Sequence, residues 1–559
     1  MTLTFRPFSV VAAALIALSV SAPIAGAESL AGNYLAASQA NYDNDYKASA
    51  LYYTRALVRD PDNVGLMQNV VLAYLSKGDA GPAVPVAQKM EELGANSQLA
   101  QLLLLADDIK RGDFDAANAL FEGGASFSPL LDGLLRGWIH FGMGNMSATT
   151  AQFDDMSSNN AMVLFSDYHR ALTLAVVGDF EGAEKLMAGR EGQPIRIGRS
   201  SLLARVEILS ELDRKDEAIA AIDEAMNNSG DLEMLALREK LVAGDTLPFD
   251  VVQNAQQGAS EVFFTLATVL AGEDNDRFGL IYARLSEYLR PRSVDSLLLV
   301  ADLLSAQKQY DLAVEALNKV PSSDPQFYTA EISRAGALQN SDKIEAGIEV
   351  LRGLAKTHKT IPTVFTSLGD ALRRNSQFAE AAKAYDAAIS LLAKPEPNHW
   401  FLYYARGISY EREGEWDKAE TDFRMALSLS PDQPLVLNYL GYGLVEKGIK
   451  MEEAQQMIET AVARRPDDGY ITDSLGWVLY RVGKFDEAIP PLEKAVELMP
   501  VDPIINDHLG DAYWKVNRKL EAEFQWRRAL SFDPEEKEAE RIRKKLEIGL
   551  DAVLKTETN

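Results

Sequence analysis

The sequence contains no cysteine among its 559 residues. That absence excludes disulfide bonds, thiolate metal ligands, a cysteine nucleophile and lipid attachment through cysteine. Basic residues are scarce relative to acidic ones, since 56 Lys and Arg stand against 82 Asp and Glu and the formal charge is −26. Because such a surface repels phosphate groups, we expect neither a nucleic-acid partner nor broad docking onto anionic lipid.

Long apolar runs are also missing. The N-terminal run from Val10 to Val20 has 11 residues, whereas a membrane-spanning helix needs roughly 20. Arg6 precedes this run and Ala25-Gly26-Ala27 follows it, an arrangement typical of a cleavable secretory signal. We predict that residues 1–27 are such a signal, cut after Ala27, and that the mature chain has no integral membrane span. An uncleaved N-terminal anchor is the alternative.

What the sequence does contain is a repeat. Small residues recur in its C-terminal half at steps of 34, 34, 34, 38, 34, 35 and 34 residues, at Ala267, Ala301, Ala335, Gly369, Gly407, Gly441, Gly476 and Gly510. The N-terminal half repeats more faintly with a similar step, at Ala37, Val71, Leu105, Gly137, Ala171 and Val206. A fixed period of this length indicates stacked supersecondary units.

Other positions recur in phase with these anchors. In the unit of Gly476, an alanine follows 12 residues later at Ala488, a large residue at Leu492, and a closing proline at Pro500. The small residue predicts a close approach of two helices, and the large residue fills the space that remains between them. Proline ends the unit because it cannot continue the preceding helix but fits the start of the next.

This pattern resembles the tetratricopeptide-repeat family, whose unit has 34 residues with W-x2-L-G-x2-Y, A-x3-F and P. The stretch "NDHLGDAYWKVNRKLEAEFQWRRALSFDP" carries it through Leu509, Gly510, Tyr513, Ala522, Trp526, Ala529 and Pro534. The resemblance implies an all-α superhelical solenoid of about 13 or 14 helix-turn-helix repeats. It extends from about residue 28 to 534, closely from 261 onward and loosely before.

We divide the chain accordingly into the signal (1–27), a degenerate N-terminal array (28–225), a joint or degraded repeat (226–260), a C-terminal array (261–534) and a capping helix with its tail (535–559). Two details stay open. Pro490-Pro491 falls inside a second helix, so that helix either starts late or is bent. The joint either forms a shortened unit or lacks one.

Catalytic motifs are not evident. The five histidines form no H-E-x-x-H pair, and no phosphate-binding loop or nucleophile elbow occurs. The acidic turn at Asp274 to Gly279 resembles the start of a calcium loop but lacks the glutamate that its twelfth position requires, where Leu285 stands. We therefore predict no enzyme activity, no cofactor and no metal site. His508 is expected to line a surface.

A binding surface remains. In the family that the chain resembles, the first helices of the repeats line a concave face. The residues of this chain that match the family's inward-facing positions are rich in aromatic residues and arginine. It comprises Tyr404, Tyr442, Tyr470, Asp473, Trp477, Tyr480, Arg481, Trp514 and Lys515, with Asp507 and Asp511 beside them and Arg373, Arg374 and Arg412 further along. Such residues predominate where proteins bind one another, although some of the aromatic residues could instead pack between repeats. The lysine and asparagine that clamp chaperone C-termini in the family are absent, so that ligand is not predicted.

The function that follows is a non-catalytic scaffold or adaptor for a protein or an extended peptide. Residues 430–534 resemble the C-terminal repeats of proteobacterial envelope proteins. This resemblance implies a periplasmic location, either free or peripheral to the outer membrane. Some members of that group are adaptors for carboxyl-terminal processing proteases of the cell-wall machinery. The alternatives are a scaffold for polysaccharide export or outer-membrane assembly, and an enzyme of unknown class.

Overall fold

The computed structural model describes residues 29–190, 193–226, 231–271 and 276–557. Within these ranges the chain forms 31 α-helices and a 3₁₀ turn, Pro397–His399, and contains no β-strand. The predicted all-α fold of paired helices is therefore confirmed. The predicted signal and its cleavage after Ala27 lie outside the described residues, as does part of the acidic turn that begins at Asp274.

The chain divides into two compact units, with the boundary between Val350 and Leu351. This boundary falls inside one helix, Ile344–Thr357. The boundaries expected near residues 225, 260 and 534 remain predictions. Unit 1 denotes the residues up to Val350 below, and unit 2 denotes the residues from Leu351 onward.

Unit 1 begins with six helical hairpins, each made of a first and a second helix. They are α1 (Leu30–Tyr42), α2 (Tyr46–Arg59), α3 (Val64–Lys77), α4 (Ala83–Glu92), α5 (Gln98–Arg111), α6 (Phe114–Glu122), α7 (Pro129–Gly142), α8 (Met146–Met156), α9 (Val163–Val176), α10 (Phe180–Met187), α11 (Gly198–Glu211) and α12 (Lys215–Met226). A single helix and three further pairs follow: α13 (Leu232–Val242), α14 (Ala255–Ala271), α15 (Asp276–Leu289), α16 (Val294–Ala306), α17 (Tyr310–Leu317), α18 (Phe327–Asn340) and α19 (Ile344–Thr357).

Unit 2 continues the alternation and ends in two additional helices. Its members are α20 (Pro362–Arg374), α21 (Phe378–Ser390), α22 (Trp400–Arg412), α23 (Trp416–Leu429), α24 (Pro434–Lys447), α25 (Met451–Arg464), α26 (Gly469–Arg481), α27 (Phe485–Leu498), α28 (Pro503–Lys515), α29 (Lys519–Leu530), α30 (Glu536–Ile548) and α31 (Leu550–Glu557). Fourteen hairpins precede α30 within the described residues, in agreement with the number that the family resemblance implies.

Local sequence sets the helix ends. At the start of α26, the Asp468 carboxylate accepts a hydrogen bond from the backbone N–H of Ile471, at 3.2 Å, which satisfies one of the free donors of a helix N-terminus. Between α26 and α27, Gly483 adopts a left-handed φ of 83° and closes the turn. Pro490 and Pro491 lie inside a continuous α27, so this helix does not start late.

The small anchor residues work as the period predicts. A Cβ added to Gly476 would lie 2.4 Å from Leu492 Cγ, and one added to Gly407 would lie 2.7 Å from the Phe423 ring. The same close approach joins Gly510 to the Trp526 ring, at 2.5 Å. The missing side chain on the first helix is therefore what admits the large side chain of the second helix.

Unit 1 contains a feature that the repeat pattern did not predict. Helices α14 and α15 pack against α3, α5, α7 and α9, which are first helices of the N-terminal array. The Tyr168 hydroxyl of α9 donates to Glu261 of α14 at 2.9 Å, and the Tyr288 hydroxyl of α15 donates to Asp107 of α5 at 2.7 Å. The chain's own hairpin thus covers the side of the N-terminal array that the family resemblance left open for a ligand.

Candidate functional site

The first helices of unit 2 form a groove, which we call the unit-2 groove. It consists of two adjoining cavities of about 570 Å³ and about 640 Å³. Residues of α22, α24, α26 and α28 line the first cavity, whereas α30 and α31 contribute to the second. Both cavities share Tyr442, Glu446, Ile504 and His508, so they form one continuous surface.

An aromatic stack forms the floor of this groove. The Trp477 ring lies parallel to the Tyr480 ring, with centroids 4.9 Å apart, and to the His508 ring at 3.9 Å. Trp477 Nε1 donates to Glu446 Oε1 at 2.6 Å, and an Arg481 guanidinium nitrogen lies 3.0 Å from the same oxygen. The stack is therefore fixed both by ring packing and by a charged hydrogen bond.

His508, the third ring of this stack, is held in place by a carboxylate. Its Nδ1 lies 2.9 Å from Asp473 Oδ2, and both side chains are buried. Burial lowers the pKa of His508, but the nearby Asp473, Asp507 and Asp511 outweigh that effect and raise its pKa above the usual 6.5. The contact between the His508 imidazole and the Asp473 carboxylate holds α28 against α26, and it becomes a buried ion pair when the imidazole is protonated.

Seven of the predicted binding residues come together in this groove. Trp477 and Tyr480, each 8% exposed, form its floor, while Tyr470 is 56% exposed at its rim. The others that line it are Tyr442, Asp473, Arg481 and Arg412. Of this group, Tyr470 and Arg412 offer the most accessible side chains, because Trp477, Tyr480 and Asp473 are already packed.

Five of the predicted residues lie elsewhere. Trp514 Nε1 donates to Asp551 at 2.9 Å and Lys515 Nζ lies 2.5 Å from the same carboxylate, so the chain's own α31 engages both. The Tyr404 ring packs among Trp400, Phe423 and Tyr439. Arg373 and Arg374 lie on α20 and line neither cavity, and Arg373 donates to the Tyr385 hydroxyl at 3.2 Å.

Several groove residues were not predicted from the sequence. Glu446 lies one helical turn after Tyr442 and anchors both Trp477 and Arg481 of the next first helix. Its spacing of four residues from Tyr442 could have placed it on the groove face, but not its partners. Trp416, the first residue of α23, also lines the groove. No signal in a first-helix pattern would find it, because it belongs to a second helix.

The described part of the chain holds no group of three His, Cys, Asp or Glu side chains arranged to bind a metal ion. None of the helices in those ranges combines the length and the apolar character that a bilayer span requires. The residues that line the groove present aromatic faces, carboxylates and arginines, side chains that recur in protein–protein interfaces.

Comparison with known proteins supports the repeat assignment. Family models described as tetratricopeptide repeat match residues 366–434 and 450–503, and residues 295–326. A TPR repeat-containing protein of Pseudomonas aeruginosa is 29% identical over 185 residues. That match covers 32% of this chain and 30% of the relative, so the chain spans less than a third of the relative's length in the alignment.

Two solved structures also show similarity to the chain. The hetero-tetramer Cut9-Hcn1 of the APC/C matches over 96% of this chain and 98% of its own, at 15% identity and a TM-score of 0.39. A tetratricopeptide repeat protein of Parabacteroides merdae matches 46% of this chain and 98% of its own, at 16% identity and a TM-score of 0.37.

Proposed function

Because the chain is a tetratricopeptide-repeat protein, we propose that it is a non-catalytic adaptor that binds an extended segment of another protein in the unit-2 groove. The observation that supports this most directly is the groove itself, which runs across the first helices of successive repeats and has an aromatic floor. Stacked repeats create such extended surfaces because each unit contacts only its neighbours.

The groove is organised before any partner arrives. Trp477 and Tyr480 are held by stacking and by the Glu446 hydrogen bond, so little side-chain entropy remains to be lost when a ligand packs against them. Tyr470 and Arg412 stand at the rim, where aromatic and arginine side chains contribute disproportionately to protein binding. A rigid floor with an accessible rim suits an extended peptide better than a compact substrate.

We extend the proposal to the cell envelope. The predicted secretory signal supports a periplasmic location, and the envelope-protein resemblance of residues 430–534 supports a cell-wall enzyme as partner, such as a carboxyl-terminal processing protease. The adaptor would hold that enzyme or its substrate in the groove, so that the two meet at a raised local concentration.

Crosslinking in intact cells tests the proposal. A photo-crosslinking amino acid is placed at position Tyr470, at the groove rim, and for comparison at Tyr42, which is 83% exposed on α1 of unit 1. We expect a specific protein adduct at Tyr470 and none at Tyr42. The protein identified by mass spectrometry is then titrated in purified form against Tyr470→Ala and Tyr42→Ala variants.

Loss of an accessible aromatic anchor should weaken binding on the order of tenfold in Tyr470→Ala, while Tyr42→Ala binds as the unaltered chain does. Equal binding by both variants, or adducts only at Tyr42, would contradict the groove assignment. A cytosolic protein as the specific adduct would contradict the envelope part alone.

A further inference from the structure

Unit 1 contains a second large cleft, which we call the unit-1 cleft. Its volume is about 870 Å³, within the range of small-molecule sites. One wall comes from α1, α3 and the start of α5, and the opposite wall is one face of α15 from Arg277 to Tyr282. The α14–α15 hairpin, which covers much of the array's side, leaves this part open.

The cleft is lined by amide side chains rather than charges. Asn41, Gln68, Asn96, Gln98 and Gln101 all face it. Among its described lining residues Arg277 alone is charged, although a quarter of the chain consists of Asp, Glu, Lys and Arg. This composition disfavours an ionic ligand, because a charged group would lose its hydration without gaining an opposite charge of matching strength.

Most of these amides are available. Within the described residues, the side chains of Gln68, Asn96 and Gln101 make no hydrogen bond, whereas Gln98 Nε2 donates to the Ser126 carbonyl at 3.0 Å and Arg277 donates to Asn41 Oδ1. Each primary amide presents two donors and one carbonyl acceptor. A ligand that fully uses them must itself both donate and accept at closely spaced positions.

The opposite wall supplies an apolar face. Phe278 is 62% exposed on α15, and Tyr282, one turn later, stacks on the Phe263 ring with centroids 6.2 Å apart and an interplanar angle of 18°. Exposed phenylalanine costs solvation free energy unless a ligand covers it. The cleft thus pairs one hydrogen-bonding wall with one aromatic wall.

We propose that the unit-1 cleft binds a neutral, polyhydroxylated ligand of the oligosaccharide class. A sugar hydroxyl both donates and accepts, as the amides require, and the C–H face of a sugar ring can cover Phe278. An extended peptide fits less well, because three of the five amides cluster between Asn96 and Gln101 instead of recurring once per repeat along a main chain. This site is independent of the function proposed for unit 2.

Calorimetric titration of the full chain with two neutral tetrasaccharides, cellotetraose and N-acetylchitotetraose, tests the proposal. We expect at least one of them to bind. The combined substitution Gln68→Leu, Asn96→Leu and Gln101→Leu should weaken that binding on the order of tenfold or more, through lost hydrogen bonds. Phe278→Ala should weaken it separately, and Gln456→Leu on an exposed face of unit 2 should leave it unchanged.

Circular dichroism verifies that each variant retains its helical content and its melting temperature. If the triple variant unfolds, Phe278→Ala still tests the proposal, because it removes only an exposed side chain. The proposal is overturned if neither tetrasaccharide binds, or if binding persists unchanged in Phe278→Ala and the triple variant. It is also overturned if an uncharged Ala-Ser peptide binds with the same dependence on these residues while the tetrasaccharides do not.

Discussion

At the scale of single residues, the repeat depends on pairs in which one member is as small as possible. Gly369 faces Tyr385, Gly407 faces Phe423 and Gly510 faces Trp526, and in each pair an added Cβ would lie within 3 Å of the ring. A larger residue in place of the glycine would lower stability through steric overlap, since the large partner on the second helix is fixed by its own helix and by the next repeat.

This argument gives a prediction for Gly476. Gly476→Ala places a methyl group 2.4 Å from the Leu492 side chain, and we expect it to lower the free energy of unfolding by about 1–3 kcal/mol. Gly353→Ala is the matched control, because Gly353 lies inside a helix and an added Cβ meets nothing within 4 Å.

Gly353→Ala should leave stability unchanged or raise it by up to about 1 kcal/mol, through improved helix propensity. Urea denaturation followed by circular dichroism measures both variants. A Gly476→Ala protein as stable as the Gly353→Ala protein would mean that Leu492 can move aside.

At the scale of helices, the two C-terminal elements are attached by a buried charge cluster. Lys545 of α30 is fully buried, and its Nζ lies 2.6 Å from Asp507 and 2.7 Å from Asp511 of α28. Gly549, with a φ of 81°, then turns the chain into α31. The sequence pattern predicts one capping helix followed by a tail, whereas α31 folds back and its Asp551 accepts a hydrogen bond from Trp514.

Removing this lysine should release both helices. Lys545→Ala leaves two carboxylates under α30, with Arg541 3.7 Å from Asp507 and 3.8 Å from Asp511 and with Trp526 Nε1 donating to Asp511 at 3.0 Å. Breaking a buried ion pair from one side costs about 3–5 kcal/mol. Burial raises the pKa of Asp511, so part of this cost is relieved by protonation in acid.

Limited proteolysis and urea denaturation follow the effect. We expect cleavage of Lys545→Ala between α29 and α31, and no change in Lys544→Ala, which removes an exposed neighbour on the same helix. Equal resistance of the two variants to protease would show that apolar contacts of Ile542 and Leu550 suffice to hold the terminal helices.

At the scale of the whole molecule, the cavities of the two units differ in composition. The unit-2 groove combines aromatic rings with ion pairs, whereas the described lining of the unit-1 cleft is dominated by neutral amides and apolar side chains. Unit 1 also buries carboxyl groups where α14 and the segment before it meet the N-terminal array. Burial raises the pKa of Glu261 to about 7 and that of Glu207 to about 8.

These shifts make the stability of the chain depend on pH. An ordinary glutamate titrates near 4.5, so at higher pH the unfolded chain binds fewer protons than the folded chain, and stability falls as pH rises. The contribution of Glu261 is complete below pH 4.5 and is lost as pH rises through about 7. In Glu261→Gln, which keeps an acceptor for Tyr168, that loss should disappear.

We therefore expect Glu261→Gln to be as stable as the unaltered chain near pH 4 and more stable at pH 8, by on the order of 3 kcal/mol. Denaturation curves across this pH range measure the difference directly. Glu239→Gln, at an exposed position of α13, should run parallel to the unaltered chain. If the stability of Glu261→Gln also changed with pH in parallel with that of the unaltered chain, Glu261 would not hold an additional proton in the folded state.

The order of helices, their pairing and their close contacts were determined by the sequence itself. They depend on interactions within about 34 residues, so Gly476, Ala488 and Leu492 suffice to predict a hairpin and its packing. The first-helix pattern likewise predicted that Tyr442, Tyr470 and Trp477 lie on one surface, because successive repeats stack in register.

Only the tertiary structure decided which surfaces stay open. The contact of Tyr168 with Glu261 joins residues that are far apart in the chain. The contact of Trp514 with Asp551 joins the last repeat to a helix that follows the array. A 34-residue period cannot predict such contacts, because whether a first helix is covered depends on where distant segments of the chain fold back. Hence the repeat predicted a concave face with binding residues between Arg373 and Lys515, whereas the folded chain keeps open the unit-2 groove and, in unit 1, a cleft that the repeat did not predict.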